Sequence, residues 1–170
     1  MEKEYSRSLS GDVFIMKTIV ISPWSRKLKN ENPKNYPWWN EVIDGIRRKV
    51  DCHIIQIGSL EEKLLKADEV RFDRNFKELK QIIVECDLWL SVDNFCNHLG
   101  AKLKKKGIVL WGVSDSHIFG YEQNINLLKD RKFLRKNQFD IWDNEPFKEE
   151  VFVGPEEVVS AICKFFRLEK

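Results

Sequence analysis

Short runs of β-branched and aromatic residues alternate along this chain with longer stretches whose apolar positions recur at helical spacing. Thr18-Ile-Val-Ile-Ser22 is a continuous apolar run bounded by Pro23, the pattern of a strand buried on both faces. After a basic, Asn-rich loop (Ser25 to Asn35), Pro37 stands in the first turn of a predicted helix. Its apolar positions Trp38, Val42, Ile43 and Ile46 share one face, and it runs to about Val50. Cys52-His-Ile-Ile-Gln-Ile57 predicts a second strand ended by Gly58, with Ser59 capping a short helix through Leu65. Beyond an apolar-alternating piece near Val70, Asn75 caps a predicted helix carrying Phe76, Leu79, Ile82 and Ile83, which Asp87 stops. Leu88 to Val92 predicts a third strand, Asn94 to Lys105 a helix, Gly107 to Trp111 a fourth strand and Ile125 to Leu128 a fifth. Pro155 opens a last helix that turns Val158, Val159, Ile162, Phe165 and Phe166 to the core. Such alternation, with connections long enough for right-handed crossovers, implies an α/β fold: one Rossmann-like domain with a parallel sheet covered by helices on both faces.

Composition narrows the partners. The 170 residues are 42% hydrophobic, which suits one compact core. Residues 1–16 are polar and lack periodicity; they read as a tail, a vector-derived segment or the product of an upstream start codon, leaving 17–170 as the domain. Lys and Arg number 29 against 27 acidic residues, a formal net charge of +2, so no global field draws nucleic acid or an anionic membrane. The basic run Lys102 to Lys106 is a helix end favoured by the dipole, and no nucleic-acid role is expected of it. Apolar stretches such as Gln81 to Val92 are broken by Glu85 and Asp87 and fall short of the roughly 20 residues needed to cross a bilayer. Cys52, Cys86, Cys96 and Cys163 form no Cys-x-x-Cys pair, so buried free thiols are expected and, with no leader pattern, a cytoplasmic location. The histidines and cysteines show no ligand spacing, so neither a metal nor a cofactor is expected.

In an open parallel sheet, ligands bind beyond the carboxyl ends of the strands. Here those ends are followed by Pro23 to Lys34, Gly58 to Glu62, Asp93 to His98 and Gly112 to Tyr121. The third is the sharpest: Asp93 ends a strand, His98 follows about one helical turn later, and the helix start between them suits a phosphate. A plainer reading stands beside it, in which Asp93 or Asn94 caps the helix and His98 hydrogen-bonds locally. His53 reads as a packed or edge residue, and His117, near Asp115 and Tyr121, as a pocket candidate.

Leu90-Ser-Val-Asp-Asn-Phe-Cys-Asn-His-Leu-Gly-Ala101, followed by Gly107-Ile-Val-Leu-Trp-Gly-Val-Ser114, resembles the nucleotide-sugar-binding, C-terminal half of family 9 glycosyltransferases, the ADP-heptose:lipopolysaccharide heptosyltransferases of GT-B fold. Their pattern is Asp-Ser/Thr-Gly-x-x-His-Leu-x-Ala, then a strand ending in a Phe-Gly-x-Thr-like turn. Lys34-Asn-Tyr-Pro37 with Trp39 resembles the family's Lys-x-Trp-Pro segment, Gly58-Ser-Leu-Glu-Glu62 its Gly-x-x-x-Glu turn, and Pro155-Glu-Glu-Val158 the start of its closing helix. The resemblance runs from about Lys17 to Phe166.

The resemblance implies that Lys34 is a mobile counter-charge beside a diphosphate, and that Glu62 or Glu61 accepts hydrogen bonds from ribose hydroxyls. It places Asp93, Asn94 and the following amides at the diphosphate and sugar, has His98 donate to phosphate or hold the turn, and puts Ser114 among the substrate-binding positions. Lys34 also reads as one of a run of solvated lysines, and Glu61 and Glu62 as ordinary first-turn acids of a helix. Two departures stand out: Phe95 occupies the family's glycine position, and the acceptor-binding half, which supplies the catalytic base, is missing. The function implied is a glycosyltransferase-like domain that binds a nucleotide sugar, or a related nucleotide, beside a separate acceptor-binding subunit or a second copy. The alternative is a non-catalytic binding module that docks a protein through Trp24, Tyr36, Trp38 and Trp39. An independent nucleotide hydrolase is disfavoured because no activated nucleophile is visible.

Overall fold

The computed structural model describes residues 5–7 and 13–168. The segment set apart at the start contributes β1 (Tyr5–Arg7) and β2 (Val13–Ile15), an antiparallel pair outside the main sheet. That sheet holds β3 (Lys17–Ser22), β4 (Cys52–Gly58), β5 (Glu69–Phe72), β6 (Leu88–Val92), β7 (Ile108–Trp111) and β8 (Ile125–Leu128). Their spatial order is β5-β4-β3-β6-β7-β8, with every neighbouring pair parallel. The main sheet begins with β3, builds outward to β5, and is then extended by β6 on the other side of β3. Such a reversal of winding leaves a crevice at the carboxyl ends of β3 and β6.

The continuous apolar runs follow from cover on both faces. Ile19, Ile21, Ile54, Leu88, Leu90, Ile108 and Leu110 face one cluster with Val42, Ile43 and Ile46 of α1 (Trp39–Arg47) and Val158, Ile162 and Phe165 of α5 (Pro155–Leu168). Their strand neighbours Val20, Ile55, Ile57, Trp89, Val109 and Trp111 face the other cluster, with Ile82 and Ile83 of α2 (Phe76–Glu85) and Cys96 and Leu99 of α3 (Phe95–Lys102). Alternate residues of one strand thus enter opposite cores, and each fully buried Ile or Leu contributes roughly 1.5–3 kcal/mol. Trp89 is enclosed: Gly107 and Gly100 leave it room, since a Cβ on either would come within 2.1 or 2.3 Å of its ring.

Several expectations need revision: the helix expected from Pro37 to about Val50 is Trp39–Arg47, with Pro37 before its cap position. Ser59 to Leu65 is not helical: Gln56 is fully buried and its amide bonds Lys63 O (2.9 Å) and Leu65 N (2.8 Å), so the backbone groups a helix would need are committed to a side chain. The piece near Val70 is a strand, β5, at the sheet edge. Asn94 to Lys105 shortens to Phe95–Lys102. The cap at Asn75 holds, as a capping box with Glu78. All four cysteines are free. Burial pushes the Cys86 thiol up to about 12 and Cys52 to about 11, so both behave as small hydrophobes.

Candidate functional site

A cavity of about 440 Å³ opens at the crevice between β3 and β6, lined by residues that follow β3, β4 and β6. Lys34, Glu62, Asp93, Asn94 and His98 all line it, joined by Arg26, Asn32, Trp24 and Trp142. Phe95, at the family's glycine position, lines the cavity and stays 43% exposed. Glu61 and Ser114 do not reach it. Glu61 is exposed, whereas Ser114 is buried with its hydroxyl unpartnered, in the turn that Gln138 holds through Val113 O and Asp115 N.

The polar groups of the cavity divide by what already satisfies them. Asn94 is the plain cap of the two readings: its Oδ1 accepts from Cys96 N (2.9 Å), while Nδ2 donates to Ser22 O and Trp24 O (each 3.1 Å) and to Ser22 Oγ (3.0 Å). It therefore locks α3 to the end of β3 rather than offering itself to a ligand. His98 Nδ1 shares a hydrogen bond of 2.9 Å with the Tyr121 hydroxyl, so only Nε2 can serve the cavity. His117 is exposed and outside the cavity, and His53 pairs with Glu69 (3.0 Å) at the sheet edge.

Asp93 is 5% exposed, and its Oδ2 lies 2.8 Å from Lys34 Nζ. That ammonium also sits 4.2 Å from the centre of the Trp142 ring, against which the Arg135 guanidinium stacks at 3.7 Å. Lys34 is thus already paired within the fold. The basic loop around it is ordered from within: Asn32 Nδ2 donates to Arg26 O (2.9 Å), Asn32 Oδ1 accepts from Lys34 N (3.0 Å), and Ser25 Oγ donates to Asp93 O (2.7 Å).

Glu62 offers the opposite case. Its Oε1 accepts from Ser59 Oγ at 3.3 Å, but Oε2 is buried without a partner, and desolvation raises the carboxyl above its ordinary range. Gly58 makes the room: at φ +155°, a Cβ there would stand 2.0 Å from Glu62 Oε2. An unpaired buried acceptor beside a cavity suits a ligand carrying hydroxyl donors.

Arg26, Asn32 and Trp142 carry no signal in the sequence, and Trp24 reads there only as part of a docking surface. Arg26 and Asn32 lie in a flagged loop with no motif of their own, and Trp142 follows β8 in a stretch without periodicity. The docking surface assigned to Trp24, Tyr36, Trp38 and Trp39 is not available as such, because Tyr36 and Trp39 are core residues at 0% and 1% exposure. Among the described residues, no cluster of His, Cys, Asp and Glu could hold a metal ion, and no helix is long and apolar enough to cross a membrane.

The sequence matches no protein-family model and no curated protein. The fold does match solved structures. Heptosyltransferase WaaC of E. coli with ADP is 15% identical, with a TM-score of 0.59 over 88% of this chain and 44% of that one. The E. coli ADP-heptose LPS heptosyltransferase II is 13% identical, with a TM-score of 0.61 over 91% and 47%. TibC, a dodecameric iron-containing heptosyltransferase in complex with ADP-D-β-D-heptose, is 11% identical, with a TM-score of 0.66 over 94% and 47%. The chain thus has the Rossmann-like α/β fold found in these GT-B heptosyltransferases and spans less than half the length of each. The likeness read in the motifs holds at the level of fold.

Proposed function

We propose that this chain is a glycosyltransferase-like domain that binds a nucleotide sugar, or a related nucleotide, in the cavity between β3 and β6. One observation carries the reading: five residues assigned from the motifs, Lys34, Glu62, Asp93, Asn94 and His98, converge on one cavity at the point where the sheet reverses its winding. The unpartnered Glu62 oxygen takes ribose or sugar hydroxyls, His98 Nε2 and the α3 start lie toward the phosphates, and Trp24 supplies an apolar wall for a ring. The solved neighbours whose names include ADP or ADP-heptose agree with a nucleotide ligand.

Transfer would require an acceptor and a base from a second body, either an acceptor-binding subunit or another copy of the chain, because a cavity open on one side cannot exclude water or align two substrates. Exposed apolar side chains fit that need. Leu60, Leu64, Phe139 and Ile141 are 75%, 61%, 78% and 62% exposed on loops that follow β4 and β8. A docking role without catalysis would use these side chains too. Titrating the purified chain with UDP-, ADP- and GDP-sugars tests the reading: one of them should bind at a single site, and saturation by none would refute it.

A further inference from the structure

Two cations line the cavity in different electrostatic circumstances. The Lys34 side chain is 16% exposed, with its ammonium 2.8 Å from Asp93 Oδ2 and seated over the Trp142 ring. No aligned hydrogen bond reaches that carboxylate oxygen, so Lys34 is the counter-charge the fold provides for it. Drawing Lys34 away to an anionic ligand would strand a buried carboxylate, a cost that cancels much of the gain. The same move would uncover Trp142, whose loop is stapled to the basic loop where Lys29 N donates to Asp143 Oδ1 (3.0 Å).

Arg26 carries no such commitment. It is exposed, lines the same cavity and makes no ion pair among the described residues. Its root is fixed: Arg26 O accepts from Asn32 Nδ2, and the preceding Ser25 is held through its N–H to Asn35 Oδ1 (2.9 Å) and its Oγ to Asp93 O (2.7 Å). A flexible guanidinium on a fixed backbone, with a fork of donors matched to phosphate oxygens, is suited to meet a phosphate without breaking a contact already made.

We infer that Arg26 is the residue that engages the phosphate-bearing part of the ligand, and that Lys34 is a positioning residue that holds Asp93 and the Trp142 loop. The inference rests on the nucleotide reading above and reverses the role that the motif resemblance gives Lys34.

The test compares UDP, ADP and GDP with the matching nucleosides by calorimetry on wild type, Arg26→Met, Arg26→Lys and Lys34→Met, with the fold of each checked by circular dichroism. The ratio of diphosphate to nucleoside affinity isolates the phosphate contact. Arg26→Met should lower that ratio at least tenfold, and Arg26→Lys should restore part of it. Lys34→Met should weaken nucleoside and diphosphate alike, leaving the ratio within about threefold. A ratio that survives Arg26→Met overturns the inference, as does a diphosphate that binds wild type no better than its nucleoside. Should Lys34→Met fail to fold, the two Arg26 variants decide alone. Absence of binding by any nucleotide to wild type defeats the functional reading itself, which is a different result from an intact ratio in Arg26→Met.

Discussion

Asp93 and Asp115 are both acids in turns beyond central parallel strands, both nearly buried at 5% and 8% exposure, yet the fold uses them oppositely. Asp115 is closed upon itself. Its Oδ1 accepts from His117 N (2.9 Å) to cap α4 (Ser116–Phe119), and Arg131 grips both oxygens at 3.0 and 2.8 Å. The Arg131 hydrogen bonds hold its carboxyl below the ordinary range. Asp93 faces the cavity, leaves the capping of α3 to Asn94, and meets one ammonium through an ion pair whose geometry aligns no hydrogen bond. Burial alone therefore does not distinguish the two; what does is that Asp115 accepts aligned hydrogen bonds on both oxygens, whereas Asp93 Oδ2 meets only an ammonium at the edge of a cavity.

Exchanging the two acids for alanine should separate binding from stability. Asp93→Ala releases Lys34 and rearranges the cavity floor, and nucleotide-sugar affinity should fall at least about thirtyfold, roughly 2 kcal/mol. Asp115→Ala should leave affinity within about threefold. Equal losses of affinity in the two variants would erase the distinction. Both variants should also lose stability, Asp93→Ala because it strands the largely buried Lys34 ammonium. Loss of the Asp115 cap should cost about 1–2 kcal/mol in chemical denaturation.

That contribution has a definite pH dependence. The folded Asp115 carboxyl lies below the ordinary aspartate value of 3.8, so its stabilisation is full above that pH and is lost as pH falls through the folded value. The difference in stability between wild type and Asp115→Ala should accordingly narrow in acid. A gap that widens there would contradict the assignment.

Gly58→Ala places a Cβ against Glu62 at a backbone angle that L side chains rarely adopt. A cost of about 1 kcal/mol is expected, with weaker ligand binding as Glu62 is pushed from its place.

The smallest effect is a gain. Desolvation raises the folded Glu62 carboxyl above 4.5, so the folded state binds more protons and stability falls as pH rises from 4.5 through the folded value. Glu62→Gln removes that penalty and should slightly raise the melting temperature at neutral pH while weakening ligand binding. A lowered melting temperature would show that the carboxylate is satisfied in a way the geometry does not reveal.

Much of the architecture was legible because strands covered on both faces leave uninterrupted apolar runs, as at Thr18 to Ser22 and Leu88 to Val92, and because the Asn75 cap is local. The Ser59 helix was misread because what prevents it, the buried Gln56 amide, lies outside the segment. Site residues that follow strand ends were visible for a topological reason: in a parallel sheet, those ends all lie on one edge. Trp142 comes from a non-periodic loop far along the chain, and only the fold brings it over Lys34. Glu61, beside Glu62, shows the limit of motif matching, since one residue's difference separates solvent from cavity.

The location of the ligand is what the whole account stands on, and amide chemical-shift mapping during titration with the best-binding nucleotide sugar tests it most directly. Shifts concentrated at Arg26, Lys34, Gly58, Glu62 and Phe95 are expected. Shifts concentrated instead in the groove between α1 and α5, around Gly45, Arg48 and Ser160, would contradict it.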